Sequence, residues 1–207
     1  MIQHYRNEWK QFREYYWKSF VGFFILFITS GILTYYLFLG REDELSFLLD
    51  GILTMFEDKG LLRPDIGQLE LAFLLLKNNA TASFVIYATG LLPIFLPAIM
   101  IIAANGALVG VVFSVFKTSG EGILLPFLTG IVPHGIFEIP AILLSASLAF
   151  YVSLGMIKKI NDSDFSLRNC LVNSLKTFGL VVLPLLVIAA FVEAFITPVL
   201  VGISGAF

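Results

Sequence analysis

The sequence is short of nearly everything a soluble enzyme of its size would use. Of its 207 residues only 14 % are charged and two are histidine, whereas a soluble domain is about 25 % charged overall. Cys170 is the sole cysteine, so no intrachain disulfide and no thiolate metal cluster can form, and its thiol is expected to have no special role. No H-E-x-x-H, G-x-S-x-G, P-loop or dinucleotide fingerprint occurs, and an enzyme is therefore not the leading reading. A net charge of −2 without a basic patch argues against nucleic acid as a partner.

What the chain does have is apolar length. It is 58 % hydrophobic, with a mean hydropathy of +0.91, gathered into runs long enough for membrane spans of about 20 residues. The expected fold is all-α: a polytopic helical membrane protein with about five transmembrane helices, proline-broken segments and an amphipathic N-terminal helix. Within a single membrane domain, residues 1–18 read as an interfacial helix, because Ile2, Tyr5, Trp9, Phe12 and Tyr16 recur at helical spacing among Arg6, Lys10, Arg13 and Lys18. Spans are expected at 19–40, 80–96, 98–116, 123–151 and 177–201. The first is read as retained, since no small-residue cleavage site follows it.

The apolar run 80–116 would form a helix of about 55 Å, too long for a ~30 Å hydrocarbon core. It must break, with Pro93 and Pro97 the expected hinge and Asn105-Gly106 the alternative. Residues 41–79 hold eight acids against four bases and read as an acidic extracytoplasmic loop containing a short amphipathic helix, a turn at Gly60 to Pro64 and another helical stretch starting near Asp65. Residues 152–176 read as a basic connector. With five spans, that connector and the basic N-terminus fall on one side, so the positive-inside tendency makes the N-terminus cytoplasmic.

The chemistry is concentrated between Pro126 and Ala146, PFLTGIVPHGIFEIPAILLSA. A carboxylate at the centre of a membrane helix costs about 2.5–3.5 kcal/mol on translocon scales, so Glu138 needs company. His134 lies four residues earlier, on the same helix face. Pro133 and Pro140 remove backbone donors around the pair, which places the segment among other helices and away from lipid. Glu193, between Pro184 and Pro198, is the third ionisable group at membrane depth, and the three converge if the last two spans pack together. Three readings stay open: a structural hydrogen-bonded network, a site for a divalent metal such as Zn²⁺, or a proton or substrate pathway. His4, in the N-terminal segment, is a poor further ligand. Asn105 is expected to hydrogen-bond across helices. Gly106 and Gly110 form a small-x-x-x-small face for close helix packing, or for pairing two copies into a homodimer.

Four stretches, NNATASF at 78–84, ANGALVG at 104–110, PHGIFEIPAI at 133–142 and AAFVEAFITP at 189–198, carry a resemblance that covers nearly the whole chain. The sequence resembles the stage II sporulation protein M family of multi-pass membrane proteins. Matching positions are Asn79, Asn105, Gly106, His134, Gly135, Glu138, Pro140, Glu193 and Pro198. The resemblance implies a cell-membrane scaffold acting in sporulation engulfment, with peptidoglycan-degrading proteins as the partners it holds at the septal membrane. A transporter or metal-dependent membrane enzyme built on His134, Glu138 and Glu193 is the alternative.

Overall fold

The computed structural model describes residues 2–61, 63, 65–120 and 122–204, without the side chains of residues 2, 4 and 204. The side chain of His4 therefore lies outside the described part, as do Leu62 and Pro64 of the expected 60–64 turn. Among the described residues the regular structure is helical throughout. Five helices are long and apolar enough to cross a membrane: α1 (Tyr5–Phe38), α3 (Gln68–Leu91), α4 (Leu96–Thr118), α5 (Leu124–Asn161) and α6 (Leu167–Ile203). The helix α2 (Glu42–Asp58) sits between α1 and α3, with Glu42, Asp43 and Glu44 in its first turn, where the helix dipole favours negative charge.

The boundaries differ from the sequence reading in one consistent way: helices run past the apolar stretches into the polar ones. The segment expected as an interfacial helix leads without a break into the first span. A wide, π-type turn at Phe12–Tyr16 joins them, and the extra residue it inserts rotates the register. Tyr16 becomes fully buried while Trp9 stays 61 % exposed, so the five periodic residues do not share one face. α3 starts at Gln68, close to the helical stretch expected from about Asp65, and runs on without a break through the span expected to begin at residue 80. The expected 152–176 connector is also mostly helix, with only residues 162–166 between α5 and α6. Capping, local propensity and packing set helix ends, and hydropathy reads none of them.

The break in the long apolar run falls where the prolines put it. α3 ends in a tight 3₁₀ turn at Thr89–Leu91, and α4 begins at Leu96 with Pro97 in its first turn, a position whose missing N–H has no helical partner to lose. Asn105-Gly106 lies inside unbroken helix. Two contacts fix the turn against α5: the Ser153 hydroxyl donates to Leu92 O at 2.5 Å and to Gly90 O at 3.3 Å. Gly90 also lies so close to the Ala149 backbone that a Cβ would collide with it.

α5 is the hub. Of its apolar stretch, 61 % is buried within the protein, against 11 % for α1. It packs on α1, α3 and α6, with Leu144, Leu148 and Val152 meeting Tyr87, Val182 and Leu186 in the largest core cluster. A second cluster joins Phe23 and Phe27 of α1, Ile102 of α4 and Leu143 of α5. α1 and α4 form the most extensive helix pair and run parallel, since Phe27 faces Gly106, Gly31 faces Gly110, and Tyr35 O accepts a hydrogen bond from Ser114 at 2.9 Å. They therefore enter the bundle from the same side. Gly40 and Gly120 end these two helices with φ of +76° and +80°, the left-handed conformation that glycine adopts without a Cβ clash.

Candidate functional site

Three prolines leave the same mark on the backbone. π-type turns at Phe127–Ile131, Phe178–Val182 and Val192–Ile196 each end two residues before a proline: Pro133, Pro184 and Pro198. A proline cannot donate to the carbonyl four residues back, and its ring presses on that carbonyl. In every case that carbonyl lies inside the wide turn, whose added residue moves it aside without ending the helix. Pro140 has no such turn before it and lies inside regular helix.

Two of these turns frame the ionisable residues. His134 and Glu138 follow the Phe127–Ile131 turn on α5, and Glu193 lies within the Val192–Ile196 turn of α6. α5 and α6 pack side by side, and the three side chains do converge: one ligand atom from each lies within 4.8 Å of the other two. All three are partly buried. His134 Nδ1 is buried with no hydrogen-bond partner, and neither carboxylate is bonded or ion-paired to another described residue. Two ionised carboxylates with oxygens within 4.8 Å of each other repel by about 3.5 kcal/mol or more at an effective dielectric constant of ~20. A proton or a cation between them removes that repulsion. The donor set of one imidazole and two carboxylates suits a divalent transition ion.

The other expected positions are distributed through the bundle, each with its own role. Asn79 is buried on α3, its Oδ1 accepting from Asn78 Nδ2 at 3.0 Å. Asn105 does not bridge helices; its Nδ2 donates to Ile101 O of its own helix at 2.9 Å, because the neighbouring glycine face already brings α1 against the backbone of α4. Gly106 and Gly110 form that close-packing face. A Cβ on Gly106 would collide with Phe27 O, and one on Gly110 with Gly31 O. The surface expected to pair two copies is thus occupied by the first helix of the same chain. Gly135 is buried but has only ordinary contacts at its Cβ position, and Pro198 is exposed.

Several residues important to this arrangement were not singled out from sequence. Gly31 is the partner of Gly106 and Gly110, and a mid-span glycine far from any turn was the available signal. Glu8 is buried although it lies in an otherwise polar segment, and its carboxylate accepts from the Thr177 hydroxyl at 2.6 Å. No sequence pattern links those two positions. An apolar groove of about 350 Å³ lies between α1 and α5, lined by Phe20, Phe24, Ile136 and Ile139 among others. Ile136 is about 200° round the helix from His134, and none of the three ionisable residues lines the groove.

A bundle of five membrane-length helices, with ionisable groups meeting between its central helix α5 and the adjoining α6, defines a multi-pass helical membrane protein. More particularly, the chain belongs to the stage II sporulation protein M family, whose pattern matches residues 20–198. The match takes in all four sequence stretches and the whole His134, Glu138 and Glu193 cluster. The chain is 28 % identical over 181 residues to the uncharacterized protein MJ0706 of Methanocaldococcus jannaschii, covering 84 % of this chain and 78 % of that one. It is 32 % identical over 125 residues to the uncharacterized protein MJ0793 of the same organism, covering 60 % and 69 %. No solved structure matches it.

Proposed function

We propose that this chain is a cell-membrane scaffold that holds peptidoglycan-degrading proteins at the septal membrane during sporulation engulfment, itself without enzymatic activity. The observation that carries the reading is family membership over residues 20–198. The helix α2 supplies a surface suited to the role. It is acidic at its start and presents Phe47, 79 % exposed, one helical turn from the exposed Asp43 and Asp50. An exposed aromatic ring set between acids on one helix face suits contact with a partner protein.

The orientation follows from basic residues. Glu8 accepts a hydrogen bond from Thr177, and Tyr15 and Tyr16 meet Tyr151, so Arg6, Lys10, Arg13 and Lys18 gather at the same end of the bundle as Lys158, Lys159, Arg168 and Lys176, which supports a cytoplasmic N-terminus with α2 outside. Placing a photo-crosslinking residue at Phe47 in a sporulating host tests the scaffold. Recovery of a wall hydrolase is expected, and recovery of none, with the protein in the membrane, overturns it. Labelling Phe47→Cys in a Cys170→Ser background with a membrane-impermeant thiol reagent tests the orientation, and protection in intact cells reverses it.

Convergence of His134, Glu138 and Glu193 favours a second reading, a transporter or metal-dependent membrane enzyme. Under that reading Glu138→Gln abolishes function in the host while wall-hydrolase recovery is unchanged. Under the scaffold reading the crosslink and the function are lost together.

A further inference from the structure

A buried imidazole nitrogen without a hydrogen-bond partner, beside two partly buried carboxylates bonded to no described residue, carries a desolvation cost that the described residues do not offset. In His134, Glu138 and Glu193 the three lie together, from two different helices, with ligand atoms within 4.8 Å of one another. Internal hydrogen bonding does not explain the arrangement, because His134 Nδ1 has no partner and neither acid is bonded to a described residue.

We infer that His134, Glu138 and Glu193 bind one divalent first-row transition ion, of the Zn²⁺ or Mn²⁺ class, which clamps α5 to α6. Charge supports a dication: a neutral imidazole with two carboxylates carries two negative charges, and the loaded site is neutral where net charge is costly. Donor type narrows the ion. Mg²⁺ and Ca²⁺ favour all-oxygen sets, whereas imidazole suits transition ions and carboxylate tolerates them.

Geometry is consistent with the same class. Bonds of about 2.0–2.2 Å in a tetrahedral site hold ligands about 3.5 Å apart. With the ligand atoms already within 4.8 Å of one another, reaching that spacing takes a movement of at most about 1.3 Å, within the reach of flexible glutamate side chains. Two ligands come from one face of α5 at i and i+4, and the third comes from the wide turn of α6. Three protein ligands leave one coordination position open, which water or a small ligand fills. This site stands whether or not α2 docks a partner outside the membrane.

The test uses the full-length protein in detergent, stripped with chelator and dialysed, then titrated by calorimetry with Zn²⁺ alone and with Mn²⁺ alone. Mg²⁺ and Ca²⁺ serve as controls, and metal content is read by mass spectrometry. One Zn²⁺ or Mn²⁺ per chain is expected, with a higher melting temperature when loaded. His134→Ala, Glu138→Gln and Glu193→Gln should each weaken binding by at least about tenfold, since even residues outside a metal's ligand set are worth about 10–100-fold in affinity. His4→Ala should leave it unchanged. Gel filtration separates a lost ligand from a lost fold, and if the variants do not fold, titration of the stripped wild type alone decides. Absence of stoichiometric binding of either ion to the wild type overturns the site, as does binding that survives in a folded variant lacking all three residues.

Discussion

Thr177, on α6, donates its hydroxyl hydrogen to the carboxylate of Glu8, on α1, at 2.6 Å and 169 positions apart in sequence. Both are buried, so this bond fixes the N-terminal segment to the last helix at the end of the bundle that also holds Tyr16, Tyr87, Tyr151 and Ser174. Removing the hydroxyl leaves a buried acid without its donor. Hydrogen bonds to charged groups contribute about 1.5–3 kcal/mol, and Thr177→Val should destabilise the protein by about that amount in a reversible unfolding experiment in detergent or bicelles. The double variant with Glu8→Gln should lose less than the sum of the two single losses, and strict additivity would refute the coupling.

The glycine crossing of α1 and α4 gives a prediction with opposite signs at two positions. Gly106→Ala puts a methyl group into Phe27 O, and overpacking of this kind costs about 1–3 kcal/mol. Gly22, on the same α1, has open space around its Cβ position and no positive φ. Gly22→Ala should be neutral or stabilising by up to about 1 kcal/mol, through helix propensity. Melting temperatures check both, and equal effects would contradict the packing described.

The same crossing is internal to one chain, which makes a statement about assembly. Replacing Gly106 and Gly110 together with Leu should lower the melting temperature strongly and leave the oligomer distribution in detergent as it was, because α1 already fills that face. A shift from dimer to monomer with unchanged stability would show that a second copy uses it.

Ser153 holds the α3 to α4 turn through Leu92 O and Gly90 O. Ser153→Ala removes both bonds and leaves carbonyls without a donor, at a cost of about 1 kcal/mol. Hydrogen exchange should rise most in residues 89–95, with α1 unaffected, and uniform protection there would argue against a fixing role.

At the exposed start of α3, Arg63 and Glu70 form an ion pair. The hydrogen bond and charge of Glu70 raise the Arg63 pKa above its ordinary value. A raised basic pKa adds stability that is present below the unfolded-state value and lost only as pH climbs through the folded one. Arginine stays protonated in folded and unfolded chains alike across the accessible range, so its titration should give no pH dependence between about pH 5 and pH 9, and Arg63→Ala should not move the melting temperature. A change in the slope of stability against pH on that substitution would contradict the assignment.

Apolar run length and proline position were enough to read the class of fold, the number of spans and the break before α4, because a bilayer constrains helix length and a missing N–H constrains helix continuity wherever it falls. The helical spacing of His134 and Glu138 placed both on one face without reference to any other helix. Packing decided the rest. Glu193 joins the pair only because α5 and α6 lie together with a wide turn aiming the acid inward. Asn105 bonds within its own helix because α1 comes close at Gly106, and Tyr16 is buried because one inserted residue turned its register. Local rules fix what a segment can be, whereas contacts between residues more than a hundred positions apart, such as Glu8 with Thr177, depend on which helices meet, and only the assembled bundle sets that.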